Sequence, residues 1–173
     1  MIEIQEILIG EKAIAEKVKG LAQEIAKDYA GQDLVLICVL KGAVVFFVDL
    51  MRQIPAPLSI DFVHASSYGM ARESAREIRI KKDIEIDIAN RHVLLVDTII
   101  DTGETLACLF QRYAKRRPAS IEAVVLLDKK PRRIADVRLK YRGFEIQDKF
   151  VVGYGVDCAE QYRNLPYIAV IKD

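Results

Sequence analysis

The clearest chemical pattern in the chain follows an apolar run that ends in an acid. Its polar residues are Asp97, Asp101, Thr102, Gly103 and Thr105, within the segment VLLVDTIIDTGETL. Small residues let backbone N–H groups approach an anion closely, and the start of a helix adds free N–H donors and a favourable dipole. Because threonine hydroxyls donate further hydrogen bonds, the segment predicts a phosphate-binding loop.

The acids beside this loop have two interpretations. Asp101 or Thr102 could serve only as a helix N-cap. Alternatively, the acids hold Mg²⁺ or ribose hydroxyls, or accept a proton, since a bare carboxylate would repel a phosphate. The apolar strand before the loop and the second acid, Asp97, favour the functional interpretation. The segment lacks the Gly-Lys-Ser/Thr of a P-loop and the G-x-G-x-x-G of a dinucleotide site.

Strand and helix patterns alternate along the chain and place this loop at a strand end. Apolar runs predict strands at 34–40, 58–65, 93–96 and 121–127, and the stretches FVVGYGV and YIAVI are also strand-like. Helical spacing predicts helices at about 11–29, 43–52 and 103–117. Residues 66–82 are expected to form a long exposed loop that enters a strand. The alternation predicts one α/β domain, residues 1–173, whose parallel sheet binds ligands at the carboxyl ends of its strands.

Composition narrows the class of protein. Hydrophobic residues make up 51% of the chain and charged residues 29%, which excludes a disordered chain. A formal net charge of +1 gives no argument for a nucleic-acid partner. Three scattered cysteines and an acidic N-terminus without a long apolar stretch favour a soluble, cytoplasmic, unprocessed protein with no membrane partner. The two histidines are not spaced as a metal pair, and we expect both to be structural.

The loop segment resembles the phosphoribosyl-diphosphate motif of type I phosphoribosyltransferases, and the whole chain is similar to their bacterial hypoxanthine/guanine branch. Further matches are LKG at 40–42 (diphosphate loop), SSYG at 66–69 (mobile lid), LLDKKPRR at 126–133 (purine recognition) and residues 143–171 (purine-binding hood). The resemblance implies a central parallel sheet flanked by helices. It also implies a small hood subdomain, formed mainly by residues 143–173 with the N-terminal segment.

The resemblance implies a role for each matched residue on the phosphate side. Lys41 and Gly42 would bind diphosphate, and the Leu40–Lys41 peptide bond would be cis. Asp101 would be the catalytic residue, placed near the purine N7 to accept or steer its proton. The 5′-phosphate would be held by Thr102, Gly103 and Thr105, and Glu104 would be part of the same substrate-binding loop. Asp97 and Asp157 would bind Mg²⁺, and Arg163 would contact the diphosphate.

On the purine side the resemblance implies four kinds of contact. Lys129 would donate to the 6-oxo group, Phe150 would stack on the base, and backbone groups of Val151 would read its edge. Ser67 and Tyr68 would close over the site. Taken alone, Lys129 is better read as a surface lysine of a basic run, and FVVGYGV is better read as a core strand.

Two positions depart from the family pattern. Two adjacent acids are usual where this chain has Asp97 and Thr98, and Glu104 stands where a lysine or a neutral residue is more usual. A threonine can hydrogen-bond a ribose oxygen but brings no negative charge toward a metal-bound ribose. We therefore expect weakened binding of phosphoribosyl diphosphate, and we expect Thr98→Asp to lower the apparent KM for it.

The implied reaction is a step of purine salvage that requires Mg²⁺. It joins N9 of hypoxanthine or guanine to C1′ of phosphoribosyl diphosphate and yields IMP or GMP and diphosphate, in a homodimer or homotetramer. One alternative is a non-catalytic or weakly active nucleotide sensor on the same fold, to which Thr98 gives some weight. A second, a doubly wound nucleotide-binding enzyme, lacks its glycine fingerprint. The choice among hypoxanthine, guanine and xanthine stays open. These bases differ at C2, which is recognised mainly by backbone groups and therefore not by the identity of a side chain.

Overall fold

The computed structural model describes residues 3–68 and 77–172, which form two sheets and three α-helices. The strands are β1 (Ile4–Ile9), β2 (Leu34–Leu40), β3 (Ser59–Tyr68), β4 (Glu77–Lys82), β5 (His92–Ile100), β6 (Ser120–Asp128), β7 (Tyr141–Glu145), β8 (Val151–Val152) and β9 (Ile168–Ile171). The helices are α1 (Glu11–Asp28), α2 (Val44–Arg52) and α3 (Glu104–Ala114), with a 3-10 turn at Lys130–Arg132. None of the helices in these ranges is long and apolar enough to cross a membrane.

The larger sheet has the order β4-β3-β2-β5-β6-β7. The neighbouring strands β3, β2, β5, β6 and β7 all pair in parallel. Within this sheet only β4, at the edge beside β3, is antiparallel to its neighbour. Alternate residues of β2 enter different hydrophobic cores: Leu36 packs in the core that includes α1 and α2, and Ile37 packs in the core that includes α3. Side chains of a strand alternate between its two faces, so helices cover both faces. The predicted α/β fold with a parallel sheet is confirmed.

The smaller sheet joins the two ends of the chain. Its order is β1-β9-β8, with antiparallel pairing throughout. The predicted start of the hood at residue 143 falls inside β7, which pairs with β6 in the larger sheet. The second sheet therefore takes its C-terminal strands from residues after Glu145.

Several predicted boundaries were wrong because pairing partners extend or end the strands. β5 continues to Ile100, beyond the predicted end at residue 96, since β6 runs beside it to Asp128. β3 continues to Tyr68 against β4, where a loop was expected. In the FVVGYGV stretch only Val151–Val152 is a strand, because positive φ angles at the following residues turn the chain.

Candidate active site

The predicted phosphate loop lies between β5 and the start of α3. Gly103 caps the helix with a φ of 85°, and a Cβ there would lie 3.0 Å from Arg133 Cδ and 3.3 Å from the Ala135 carbonyl oxygen. Only glycine fits this space without strain. The Thr102 carbonyl accepts the N–H groups of Ile134 and Ala135 at 2.9 and 3.0 Å. The segment after β6 therefore holds the loop in place.

Within this loop the Glu104 carboxylate accepts a hydrogen bond from the Thr102 hydroxyl. Thr102 Oγ1 donates to Glu104 Oε2 at 2.9 Å, and the Glu104 N–H donates back to Thr102 Oγ1 at 3.4 Å. Glu104 is in the first turn of α3, where the helix dipole favours a negative charge. Thr105 follows in the same turn. A phosphate that approached this helix end would compete with Glu104 for the Thr102 hydroxyl.

The second strand end is the loop after β2. The Leu40–Lys41 peptide bond is cis, as predicted. Lys41 Nζ lies 2.7 Å from Glu160 Oε2, an ion pair between exposed side chains. Thr98 is fully buried, and its Oγ1 donates to the Gly42 carbonyl oxygen at 2.9 Å.

Residues after β8 form the other wall of this region. Arg163 Nη2 lies 2.8 Å from Asp157 Oδ1 and 3.4 Å from Glu160 Oε1. Its Nη1 donates to the Gly155 carbonyl at 2.8 Å. The Asp157 carboxylate also accepts the Glu160 N–H at 2.9 Å. Lys41, Glu160, Arg163 and Asp157 therefore form one connected ion-pair group.

The third strand end carries a buried lysine under an exposed aromatic ring. Lys129 is 7% exposed, whereas Phe150 is 62% exposed. Lys129 Nζ lies 5.6 Å from the centre of the Phe150 ring and 3.8 Å from Asp148 Oδ1. Val151, next in the chain, is buried in β8. Lys129 is thus not the ordinary surface lysine that a basic run suggests, and Phe150 is not a core residue.

Arg132 connects Asp101 to Asp148, the partner of Lys129. Its Nε lies 3.0 Å from Asp101 Oδ1, and its Nη1 lies 3.7 Å from Asp148 Oδ2. Arg132 and Glu160 are site residues that the sequence reasoning missed. The basic run at 129–133 was a visible signal, but nothing in it distinguishes the arginine that faces the site.

Asp97 lies within β5, three residues before the strand ends at Ile100, and is partly buried. Burial raises the pKa of its carboxyl from 3.8 to about 7, and hydrogen bonds from the N–H groups of Thr98 and Ile99 offset only part of that rise. The Thr98 N–H lies 2.8 Å from Asp97 Oδ1. A cation beside Asp97 would favour its ionised form.

Carboxylates outnumber cations in the assembled site. The cations are Lys41, Lys129, Arg132 and Arg163, and the acids are Asp97, Asp101, Glu104, Asp148, Asp157 and Glu160. Each cation has an acid partner at 2.7–3.8 Å. Within residues 3–68 and 77–172, no three His, Cys, Asp or Glu side chains form a group that could hold a metal by themselves.

The predicted lid falls largely outside the described residues. Ser67 and Tyr68 belong to the backbone of β3, where they pair with Ile78 and Glu77. Their side chains, and Gly69 of the SSYG stretch, are outside the part of the chain that the structure describes. Closure of this segment over the site therefore stays a prediction.

Comparison with known proteins gives matches over nearly the whole chain. Residues 5–159 match the phosphoribosyl transferase domain family. Hypoxanthine-guanine phosphoribosyltransferase of Bacillus subtilis (strain 168) is 44% identical over 170 residues, which are 98% of this chain and 94% of that protein. A crystal structure of the hypoxanthine-guanine phosphoribosyltransferase of Bacillus anthracis has a TM-score of 0.93 at 44% identity, covering 99% of this chain and 100% of that one. A mutant hypoxanthine phosphoribosyltransferase of Trypanosoma cruzi, in a ternary substrates complex, has a TM-score of 0.92 at 38% identity, covering 98% and 96%.

Proposed function

We propose that this chain transfers a 5-phosphoribosyl group to N9 of hypoxanthine, guanine or both. The chain belongs to the phosphoribosyl transferase domain family, and this membership is the basis of the proposal. The donor is phosphoribosyl diphosphate, and the products are IMP or GMP and diphosphate. This is a reaction of purine salvage. None of the matches favours the alternative of a non-catalytic nucleotide sensor.

The observation that carries the proposal is the buried Lys129 beneath the exposed ring of Phe150. An exposed aromatic face suits stacking on a purine, and a lysine ammonium is a hydrogen-bond donor without acceptor capacity. A 6-oxo group accepts such a bond, whereas a 6-amino group would face it donor against donor. The backbone of Val151 reads the edge of the same base.

The phosphate groups bind at the other two strand ends. The 5′-phosphate takes the N–H groups and hydroxyls of the 102–105 loop, and Lys41, Gly42 and Arg163 bind the diphosphate. Since Lys41 and Arg163 are paired with Glu160 in the free protein, diphosphate must compete with that carboxylate. The positive charges of Lys41 and Arg163 stabilise the departing diphosphate in the transition state.

The chemical step forms the N9–C1′ bond and breaks the bond between C1′ and the diphosphate oxygen. Asp101 accepts or steers the proton at N7 of the base, so that the purine is neutral in the product. In the free protein Asp101 is paired with Arg132, which also reaches Asp148 beside the base position. This pairing supports a location of Asp101 next to the purine.

Mg²⁺ is the proposed cofactor, with Asp97 and Asp157 as its protein ligands. The excess of carboxylates in the site supports a bound cation, since the ligand itself carries several negative charges. Mg²⁺ in such sites commonly uses one or two carboxylates together with water and substrate phosphates, which agrees with the lack of a closed metal cage in the described ranges. When bound, it neutralises charge on the diphosphate.

Two further parts of the proposal rest on the family resemblance. The segment with Ser67 and Tyr68 closes over the substrates, and the chain assembles as a homodimer or homotetramer. The proposed cytoplasmic location rests on the three scattered cysteines of the sequence.

The test is a turnover assay with Mg²⁺, phosphoribosyl diphosphate and one of three bases. Hypoxanthine and guanine should give nucleotide, and adenine should not. Lys129→Met should lower kcat/KM for hypoxanthine at least about tenfold, because one charged hydrogen bond is lost. Lys130→Met, a change of the neighbouring exposed lysine, is the matched control. Tight nucleotide binding without turnover would instead support the sensor.

A further inference from the structure

The side chain of Thr98 in β5 reaches the loop that follows the neighbouring strand β2. β2 and β5 pair in parallel as far as Cys38 and Val96, whereas β5 continues beside β6 to Ile100. Thr98 lies beyond the last pair with β2, is fully buried, and donates its hydroxyl to the Gly42 carbonyl oxygen at 2.9 Å. The hydroxyl therefore ties the loop after β2 to β5 at a point where backbone pairing has ended.

The same Gly42 carbonyl is a close contact of the turn after β8. A Cβ at Gly155 would lie 2.0 Å from this oxygen and 3.8 Å from Thr98 Oγ1. Gly155 in turn is bound to Arg163, whose carbonyl accepts the Gly155 N–H at 2.9 Å and whose Nη1 donates to the Gly155 carbonyl at 2.8 Å. Thr98 thus holds a carbonyl that belongs to the Lys41 loop and contacts the segment that carries Arg163.

We infer that Thr98 is a positioning residue for the diphosphate, an inference that rests on the proposed function. Its hydroxyl fixes the Gly42 carbonyl, and thereby the relative placement of Lys41 and Arg163. A carboxylate at position 98 would face a carbonyl oxygen in a buried place and could form this bond only when protonated. Thr98→Asp should therefore raise the apparent KM for phosphoribosyl diphosphate, the opposite of the expectation drawn from the family pattern.

The experiment compares Thr98→Val and Thr98→Ser with the wild-type protein. Calorimetry with Mg²⁺ and diphosphate measures binding without turnover, and steady-state kinetics give separate KM values for phosphoribosyl diphosphate and hypoxanthine. Thr98→Val should weaken diphosphate binding about tenfold and leave the KM for hypoxanthine near its wild-type value, since one buried hydrogen bond is lost. Thr98→Ser keeps the hydroxyl and should restore most of the affinity.

Ser120→Ala is the control, because it removes a hydroxyl from the amino end of β6, which pairs with β5. Ser120 Oγ lies 2.8 Å from His92 Nδ1, at the amino ends of the strands and therefore at the opposite end of the sheet from the site. It should leave diphosphate affinity unchanged.

Unchanged diphosphate affinity in Thr98→Val would overturn the inference. An equal loss of affinity for diphosphate and hypoxanthine would also overturn it, because that result indicates general loosening of the fold. If Thr98→Val does not fold, Thr98→Ala decides the matter: weaker diphosphate binding supports the inference, and unchanged binding contradicts it. A wild-type protein that binds diphosphate but forms no nucleotide would contradict the proposed function alone, since the calorimetric comparison remains.

Discussion

Replacing Asp97 with asparagine should stabilise the free protein at neutral pH and weaken its binding of phosphoribosyl diphosphate. Burial raises the pKa of the Asp97 carboxyl to about 7, so the folded protein carries an unfavourable charge there at higher pH. Asparagine keeps an oxygen that can accept the Thr98 N–H, which lies 2.8 Å away, and it never ionises. It also loses the charge that would hold Mg²⁺.

The sign and size of the stability effect follow from the pKa. Below about pH 4 the carboxyl is protonated in both the folded and the unfolded state, so Asp97→Asn should have little effect there. Between pH 4 and 7 the folded state holds a proton that the unfolded state has lost, and the free energy of unfolding falls as pH rises. The rise from 3.8 to about 7 is worth about 4 kcal/mol above pH 7. Because the side chain is partly exposed, we expect about half of that value.

Urea denaturation of wild type and Asp97→Asn between pH 4.5 and 8 measures this effect. The variant should be more stable by about 2 kcal/mol at pH 8, and the difference should shrink toward pH 4.5. Asp136→Asn, which removes an exposed carboxylate, is the matched control. The reasoning is refuted if the difference in stability between Asp97→Asn and wild type does not change with pH.

Two other substitutions test the acids that occupy the site of the free protein. Glu160→Gln removes the charged partner of Lys41 and should tighten diphosphate binding about two- to fivefold at low salt. Calorimetry measures this affinity, and weaker binding would show that Glu160 positions Lys41 instead of competing with diphosphate. Glu104→Gln removes a negative charge beside the phosphate loop and should lower the apparent KM for phosphoribosyl diphosphate, by about two- to fivefold, in steady-state assays. An unchanged or higher KM would mean that Glu104 does not oppose the phosphate.

The sheet could be predicted from the sequence because its strands are buried on both faces. The run at 34–40 is continuously apolar, and β2 has those same bounds. β7 and β1 were missed, because YRGFE and IQEILI mix polar and apolar residues and are partly exposed. β1 and β7 form because they pair with a neighbouring strand, and a local sequence pattern does not reveal that pairing.

The candidate site could be predicted where one loop carries the chemistry, and could not be predicted where partners come from distant residues. The Asp-Thr-Gly-Glu-Thr stretch predicts a phosphate loop by itself, since glycine and hydroxyl residues before a helix can bind an anion. The burial of Lys129 and the pairing of Lys41 with Glu160 depend on residues after β7, which no local pattern connects to them. The contact of Thr98 with Gly42 depends on where pairing between β2 and β5 stops.

A crystal structure with GMP and Mg²⁺ tests the central claim most directly. The account predicts that the phosphate lies within hydrogen-bond distance of the 102–105 loop, that the purine stacks on Phe150, and that its 6-oxo group accepts a hydrogen bond from Lys129. A nucleotide whose base lies away from Phe150, or whose phosphate binds elsewhere than at the start of α3, would contradict it.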